Sequence, residues 1–218
     1  MFLRPQHFQA ADRYWTEFII DQQRLDHPYP YGVFSLQLNE TALQTGEVDV
    51  LQASVRLRDG ALMTIGGKLS LDRLPVGPLL AESDVVTIFL GCPRRLPGQS
   101  NVSRGEPGAG PRRFTALEED RIDESAGGDA QPIELLQLNC RLLAAPGRVT
   151  SPTDAAGYDT LPLMRLRRSP TTGQPEVDRE YVPPLLQVLA WPWLDREWQW
   201  FVGVKAPFQV PRNRVIQL

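Results

Sequence analysis

The stretch Val48-Asp49-Val50-Leu51-Gln52-Ala53-Ser54-Val55-Arg56-Leu57-Arg58-Asp59-Gly60-Ala61-Leu62-Met63-Thr64-Ile65 decides the fold class. Val48 and Val50 alternate with polar neighbours, then Leu51, Ala53, Val55 and Leu57 alternate in the opposite phase. Side chains on a strand point to opposite faces in turn, so a period of two marks a half-buried strand. The slip at Val50-Leu51 predicts a β-bulge, because one extra residue returns the apolar set to the core face. Asp59-Gly60 then supplies a hairpin turn into Ala61–Ile65.

Outward from this hairpin the same grammar recurs. Val33–Leu38 reads as a strand, and Asp84–Leu90, short and β-branched, reads as a buried one. Ile133 and Leu135, then Leu136, Leu138, Cys140 and Leu142, repeat the phase slip and predict a second bulge near Leu136. Tyr158–Leu166 is a strand that Pro162 makes an edge or a bulged one. Val182-Pro183-Pro184 begins a last apolar run to Ala190. Pro97–Arg113 is a loop with Arg104, Arg112 and Arg113, and Phe114–Leu117 is a short strand. The expected fold is mainly β: an antiparallel β-sandwich of about seven to nine strands.

One element breaks the period. Phe8, Ala11, Trp15, Phe18, Gln22 and Leu25 recur at spacings of three and four, the mark of a helix with one apolar stripe. Pro5 suits its first turn, and His27-Pro28 ends it. The stripe either packs on its own sheet or meets another chain. Trp15 is expected to contribute to stability. Phe2 and Leu3 precede the helix as an arm beside Arg4: they either dock on a partner or fold back on the sandwich.

Composition narrows the function. Twenty prolines suit a loop-rich β protein. A net charge of -3 gives no global field to hold nucleic acid or an anionic membrane. No apolar run approaches about 20 residues, and the opening residues lack a signal-peptide core. Two cysteines, Cys92 and Cys140, make no disulfide framework, and both read as buried small hydrophobes of a protein in a reducing cytoplasm.

Residues able to carry chemistry are few. His7 and His27 have no second ligand one helical turn away, so no metal site is expected. Glu118–Glu124 lacks the spacing of a calcium loop and reads as a solvated connection. The glycines of 105–110 lack the strand and helix of a phosphate loop. No cofactor or catalytic residue is expected, and the chain reads as a non-enzyme. Trp198 and Trp200 alternate on one strand face, which forms a buried seam or offers aromatic rings to a sugar or a protein.

The opening Met1-Phe2-Leu3-Arg4-Pro5-Gln6-His7-Phe8-Gln9, followed by Asp12-Arg13-Tyr14, resembles the N-terminal signature of the TssK family of type VI secretion baseplate subunits. Ile133–Leu142, Tyr158–Leu166 and Tyr181–Leu186 match further family stretches in order. The resemblance implies a shoulder-like sandwich over residues 1–190 and a structural adaptor that forms cytoplasmic trimers. It implies the wedge proteins TssF and TssG as partners, and TssL and TssM of the membrane complex through a separate head. Phe2, Leu3, Arg4, His7, Trp198 and Trp200 become the expected interface residues. The chain departs from the family after residue 190, where a Trp-rich stretch, 191–218, stands in place of the long helical neck. A remnant of neck and head, in a truncated product or a short paralogue, is expected there. The alternative is a phage-like carbohydrate-binding sandwich using Trp198 and Trp200.

Overall fold

The computed structural model describes residues 2–67, 69–105, 110–125, 127–153 and 155–194. A helix, α1 (Pro5–Asp26), comes first. Strand β1 (Gly32–Leu38), helix α2 (Glu40–Gln44) and strands β2 (Glu47–Val48), β3 (Val50–Arg56) and β4 (Leu62–Ile65) follow. Next come β5 (Leu74–Pro75), α3 (Gly77–Glu82) and β6 (Val85–Pro93). Strands β7 (Val102–Ser103), β8 (Phe114–Arg121), β9 (Gln131–Leu138), β10 (Arg141–Pro146), β11 (Tyr158–Arg168) and β12 (Pro175–Val177) complete the β structure, before a 3-10 turn at Val188–Ala190. Three of these strands are two-residue pairings, which is why the described strands outnumber the seven to nine expected.

Two sheets enclose one core. The first has the order β1-β3-β4 and the second β10-β6-β11-β12, both antiparallel throughout. Val33, Val55 and Ile65 from the first meet Ile88, Leu90 and Leu163 from the second. Strand β6 is buried on both faces, every residue but Val85, which explains its near-continuous apolar run. Its buried Thr87 hydroxyl donates to the Gly147 carbonyl at 2.8 Å, so no polar group is stranded there.

The expected bulge at Leu51 is present. Gln37 faces Gln52 but Leu38 faces Val50, so Leu51 is the extra residue, and it points to solvent. Val48, Val50, Ala53, Val55 and Leu57 all reach the core. Pro162 also sits at a bulge: Pro162 faces Phe89 and Met164 faces Ile88. The strand is interior, and the bulge accommodates a residue that has no N–H to donate.

The second predicted bulge is absent. Strands β8 and β9 pair without a break from Phe114↔Leu138 to Arg121↔Gln131. The apolar pattern changes phase inside β9, where Ile133 and Leu135 lie on one face of the hairpin and Leu136 and Leu138 on the other. Strand β8 also runs past Leu117 to Arg121, so Glu118, Glu119 and Asp120 are strand residues rather than a connection. The apolar run from Val182 makes no strand. A single parallel bridge, Val33↔Leu185, joins it to β1, since Pro183 and Pro184 have no N–H for a ladder.

Gly32 makes that junction possible. Its φ of +143° suits glycine, and a Cβ there would lie 2.6 Å from the Pro184 carbonyl oxygen. Val33 N–H donates to that same oxygen at 2.8 Å. Beyond the turn Trp191, 1% exposed, joins the core, with Trp193 edge-on to it at 4.8 Å.

Candidate protein interface

Among the described residues, the N-terminal arm stands open to solvent. Phe2 is 94% exposed and Leu3 72%. Arg4 precedes the helix in extended geometry, and its amide donates to His7 Nδ1 at 3.0 Å, while His7 N–H donates to the Arg4 carbonyl at 2.9 Å. His7 thus closes the first turn, satisfying a backbone amide that the helix start would otherwise leave open. Of the expected interface residues, Phe2, Leu3, Arg4 and His7 lie together at this end. Trp198 and Trp200 lie outside the described residues.

Helix α1 has the expected periodicity but buries no residue. Trp15, expected to stabilise the fold, is 60% exposed. Tyr14, Trp15 and Phe18 pack on one another instead, with edge-to-face centroid distances of 5.3 and 6.1 Å and a stacked pair at 6.4 Å. A glycine supports the close approach of helix and sandwich. A Cβ at Gly60 would lie 2.5 Å from Ile20 Cγ1, and the φ of +88° independently favours glycine in the β3–β4 turn.

The β8–β9 hairpin is the second exposed region. Leu117, Ile133 and Leu136 are exposed on it, and Ile122 lies just beyond. The sequence carried this signal in the two-phase pattern, because apolar residues on both faces of a hairpin produce it as readily as a bulge does. Glu118 faces Glu134 across the pair, a repulsive placement. Arg104 offsets it with a bidentate grip on Glu134, at 3.0 and 2.7 Å, which draws the Glu134 carboxyl below the usual range. A groove of about 430 Å³ separates hairpin and helix, lined by Gln9, Asp12 and Arg13 on one side and Phe114 and Leu136 on the other.

An ionic junction fastens the hairpin to the core. Arg113, 5% exposed, donates to Asp59 in the β3–β4 turn and to the Pro93 carbonyl at 3.0 Å. Asp159 on β11 stands 3.9 Å from Arg113 and accepts from Arg94 at 3.1 Å. Asn139 completes the joint: its amide donates to the Arg113 carbonyl at 2.8 Å and its Nδ2 to the Arg112 carbonyl at 3.0 Å. Four segments thus meet around one buried guanidinium, whose charge is paired and hydrogen-bonded.

At the opposite end, a cavity of about 710 Å³ is lined by Leu36, Glu40, Glu176, Arg179, Trp191 and Trp193. Among the described residues no three His, Cys, Asp or Glu side chains cluster as metal ligands, and no helix is long and apolar enough to cross a membrane.

Known proteins give this arrangement a context. The chain is 29% identical over 195 residues to the type VI secretion system baseplate component TssK1 of Pseudomonas aeruginosa, covering 88% of this chain and 42% of that protein. It therefore spans less than half the length of that curated relative. The fold superposes on the cryo-electron-microscopy structure of a TssK-TssF-TssG baseplate subcomplex with a TM-score of 0.81 and 24% identity, covering 93% of this chain and 65% of that one. A crystal structure of TssK gives 0.78 and 21%, covering 93% and 46%. The sequence also matches, over residues 7–204, the family described as Bacterial Type VI secretion, VC_A0110, EvfL, ImpJ, VasE. That match takes in the exposed helix, both sheets and the hairpin, and the chain belongs to this family of type VI secretion proteins.

Proposed function

We propose that this chain is a cytoplasmic structural adaptor of the type VI secretion baseplate, with no catalytic role, and that it docks wedge proteins of the TssF and TssG kind. The observation that carries the reading is the exposed N-terminal end. Phe2, Leu3 and an aromatic helix cluster stay uncovered beside two sheets that enclose one apolar core. Large apolar groups beside a guanidinium suit docking, since burial supplies affinity and the charge supplies orientation. A relative of this family is seen with TssF and TssG, which supports the partner assignment over the carbohydrate-binding alternative. Self-association as a trimer belongs to the same proposal. So does the division into a shoulder up to residue 190 and a short Trp-rich stretch from 191 to 218. Contacts with TssL and TssM rest on the head in the family and are not extended to this chain.

Replacing Phe2 and Leu3 together by alanine tests the docking arm. Each buried large side chain contributes about 1.5–3 kcal/mol, so losing them from an interface weakens binding roughly tenfold or more. The expected result is weaker capture of co-expressed TssF and TssG with an unchanged melting temperature. A variant that melts several degrees lower, yet binds normally when folded, would place the arm in the chain's own core and end the docking assignment.

A further inference from the structure

The two cysteines sit 48 positions apart in sequence and side by side in the fold. Strands β6 and β10 pair with Gly91 opposite Arg141. The ladder ends there; the next residues are Cys92 on β6 and Cys140 just before β10, and their thiols lie within hydrogen-bonding reach of each other. Cys92 is fully buried and Cys140 half-buried, and both are free thiols. Each thiol perturbs the ionisation of the other. The Cys140 thiol, by hydrogen bonding, holds Cys92 below the usual thiol range, against the opposing effect of burial and with help from the buried Arg113 charge. Contact with Cys92, followed by burial, pushes Cys140 up.

We infer that Cys92 and Cys140 form a redox-active dithiol that closes to an intrachain disulfide under peroxide and fastens the root of the β8–β9 hairpin to the central strand. Three features of placement support this. Directly opposed residues of an antiparallel pair have α-carbons about 4.5–5.5 Å apart, inside the separation a disulfide spans. Cys140 immediately follows Asn139, which holds the hairpin root to Arg112 and Arg113. Cys140 is partly open to solvent, whereas Cys92 lies beneath the Arg113 junction. The chemistry balances. One sulfur of the pair, as its thiolate, attacks one peroxide oxygen, and the departing hydroxide takes up a proton to become water. The resulting sulfenic acid is then attacked by the other sulfur, the S–S bond forms, that thiol's proton is released and a second water leaves once the hydroxyl is protonated. In sum two thiols and one peroxide give one disulfide and two waters. A hairpin fixed at its root presents Leu136 and Ile133 at a set angle to the sandwich, and the reduced form leaves that angle to the ionic junction alone.

Intact-mass analysis under hydrogen peroxide tests the assignment. The chain has no other cysteine, so a monomer that loses the mass of two hydrogens reports this pair alone. The expected result is that loss, reversed by dithiothreitol, and a melting temperature several degrees higher in the oxidised form. Closure should run faster in the folded protein than in denaturant, where the thiols are held apart only by a flexible chain. Cys140→Ser and Cys92→Ala, each left with a single thiol, should both lose the two-hydrogen change. The inference is overturned if the folded protein keeps both thiols, if closure is faster in denaturant, or if the product is a disulfide between two chains.

Discussion

Strand β6 and helix α1 are both strongly patterned, yet they have opposite fates. All of β6 except Val85 is buried, and nothing in α1 is. Their apolar residues are of the same kinds, with Ile88, Phe89 and Leu90 in one and Trp15, Phe18 and Ile19 in the other. The difference teaches that periodicity identifies a face that favours burial without identifying what buries it. In β6 the neighbours β10 and β11 pair on both sides. In α1 the body approaches closely at the Gly60–Ile20 contact and leaves the aromatic cluster open.

Single substitutions can break or sharpen this contrast. The largest effect belongs to β6. Ile88→Ala removes a fully buried side chain between the sheets and should cost about 2–5 kcal/mol in urea unfolding. A cost below about 1 kcal/mol would mean that β6 is not the centre of the core. Next comes the joint between core and exposed hairpin. Arg113→Met keeps the aliphatic stem but removes the cation paired with Asp59 and the donor to the Pro93 carbonyl, while Asp159 keeps Arg94. A loss of about 3 kcal/mol is expected, near the low end for a broken buried pair because Asp59 is partly exposed. Hydrogen exchange should show the β8–β9 amides loosening before those of β6. Uniform loosening would make the junction part of the core rather than a joint.

Gly32→Ala should cost about 2 kcal/mol, by forcing a side chain into a backbone conformation it disfavours and against the Pro184 carbonyl. Its melting transition should stay sharp, since the core itself is untouched. Trp15→Ala is the counterpart of Ile88→Ala: with the indole mostly exposed, the isolated chain should change by less than about 0.5 kcal/mol. A drop of several degrees would show α1 packed on its own sandwich and would remove the contrast altogether.

The smallest effect is electrostatic. The Arg104 guanidinium keeps Glu134 charged to lower pH than a free glutamate. A carboxylate depressed in the folded state adds stability above its unfolded pKa and loses it as pH falls through the folded value. The contribution should therefore be present at neutral pH and fade in acid, below the usual glutamate range. The pair is solvent-exposed, so a carboxyl titration followed by NMR is the measurement that reads it. Replacing Arg104 with Gln should return the midpoint to the ordinary value, and an unmoved midpoint would show that the pair has no influence in solution.

The sequence by itself determined the mainly β class, the helix ending before Pro28, the Leu51 bulge and the family, and narrowed Pro162 to an edge or a bulge, because these depend on local period, turn chemistry and a contiguous signature. It also placed Phe2 and Leu3 ahead of the helix, with docking on a partner and folding back on the sandwich both open. It misassigned the slip at Leu136, since apolar residues on both faces of a hairpin strand and a bulge shift an apolar pattern in the same way. It assigned Trp15 to stability, since a stripe looks alike whether it faces its own chain or solvent. Only the tertiary structure decided those two cases. It alone also brought Cys92 beside Cys140 and gathered Asp59, Pro93, Arg113 and Asp159 at one joint. Strand pairing sets register between residues far apart in the chain, and nothing local in a sequence records which distant strand a residue will face.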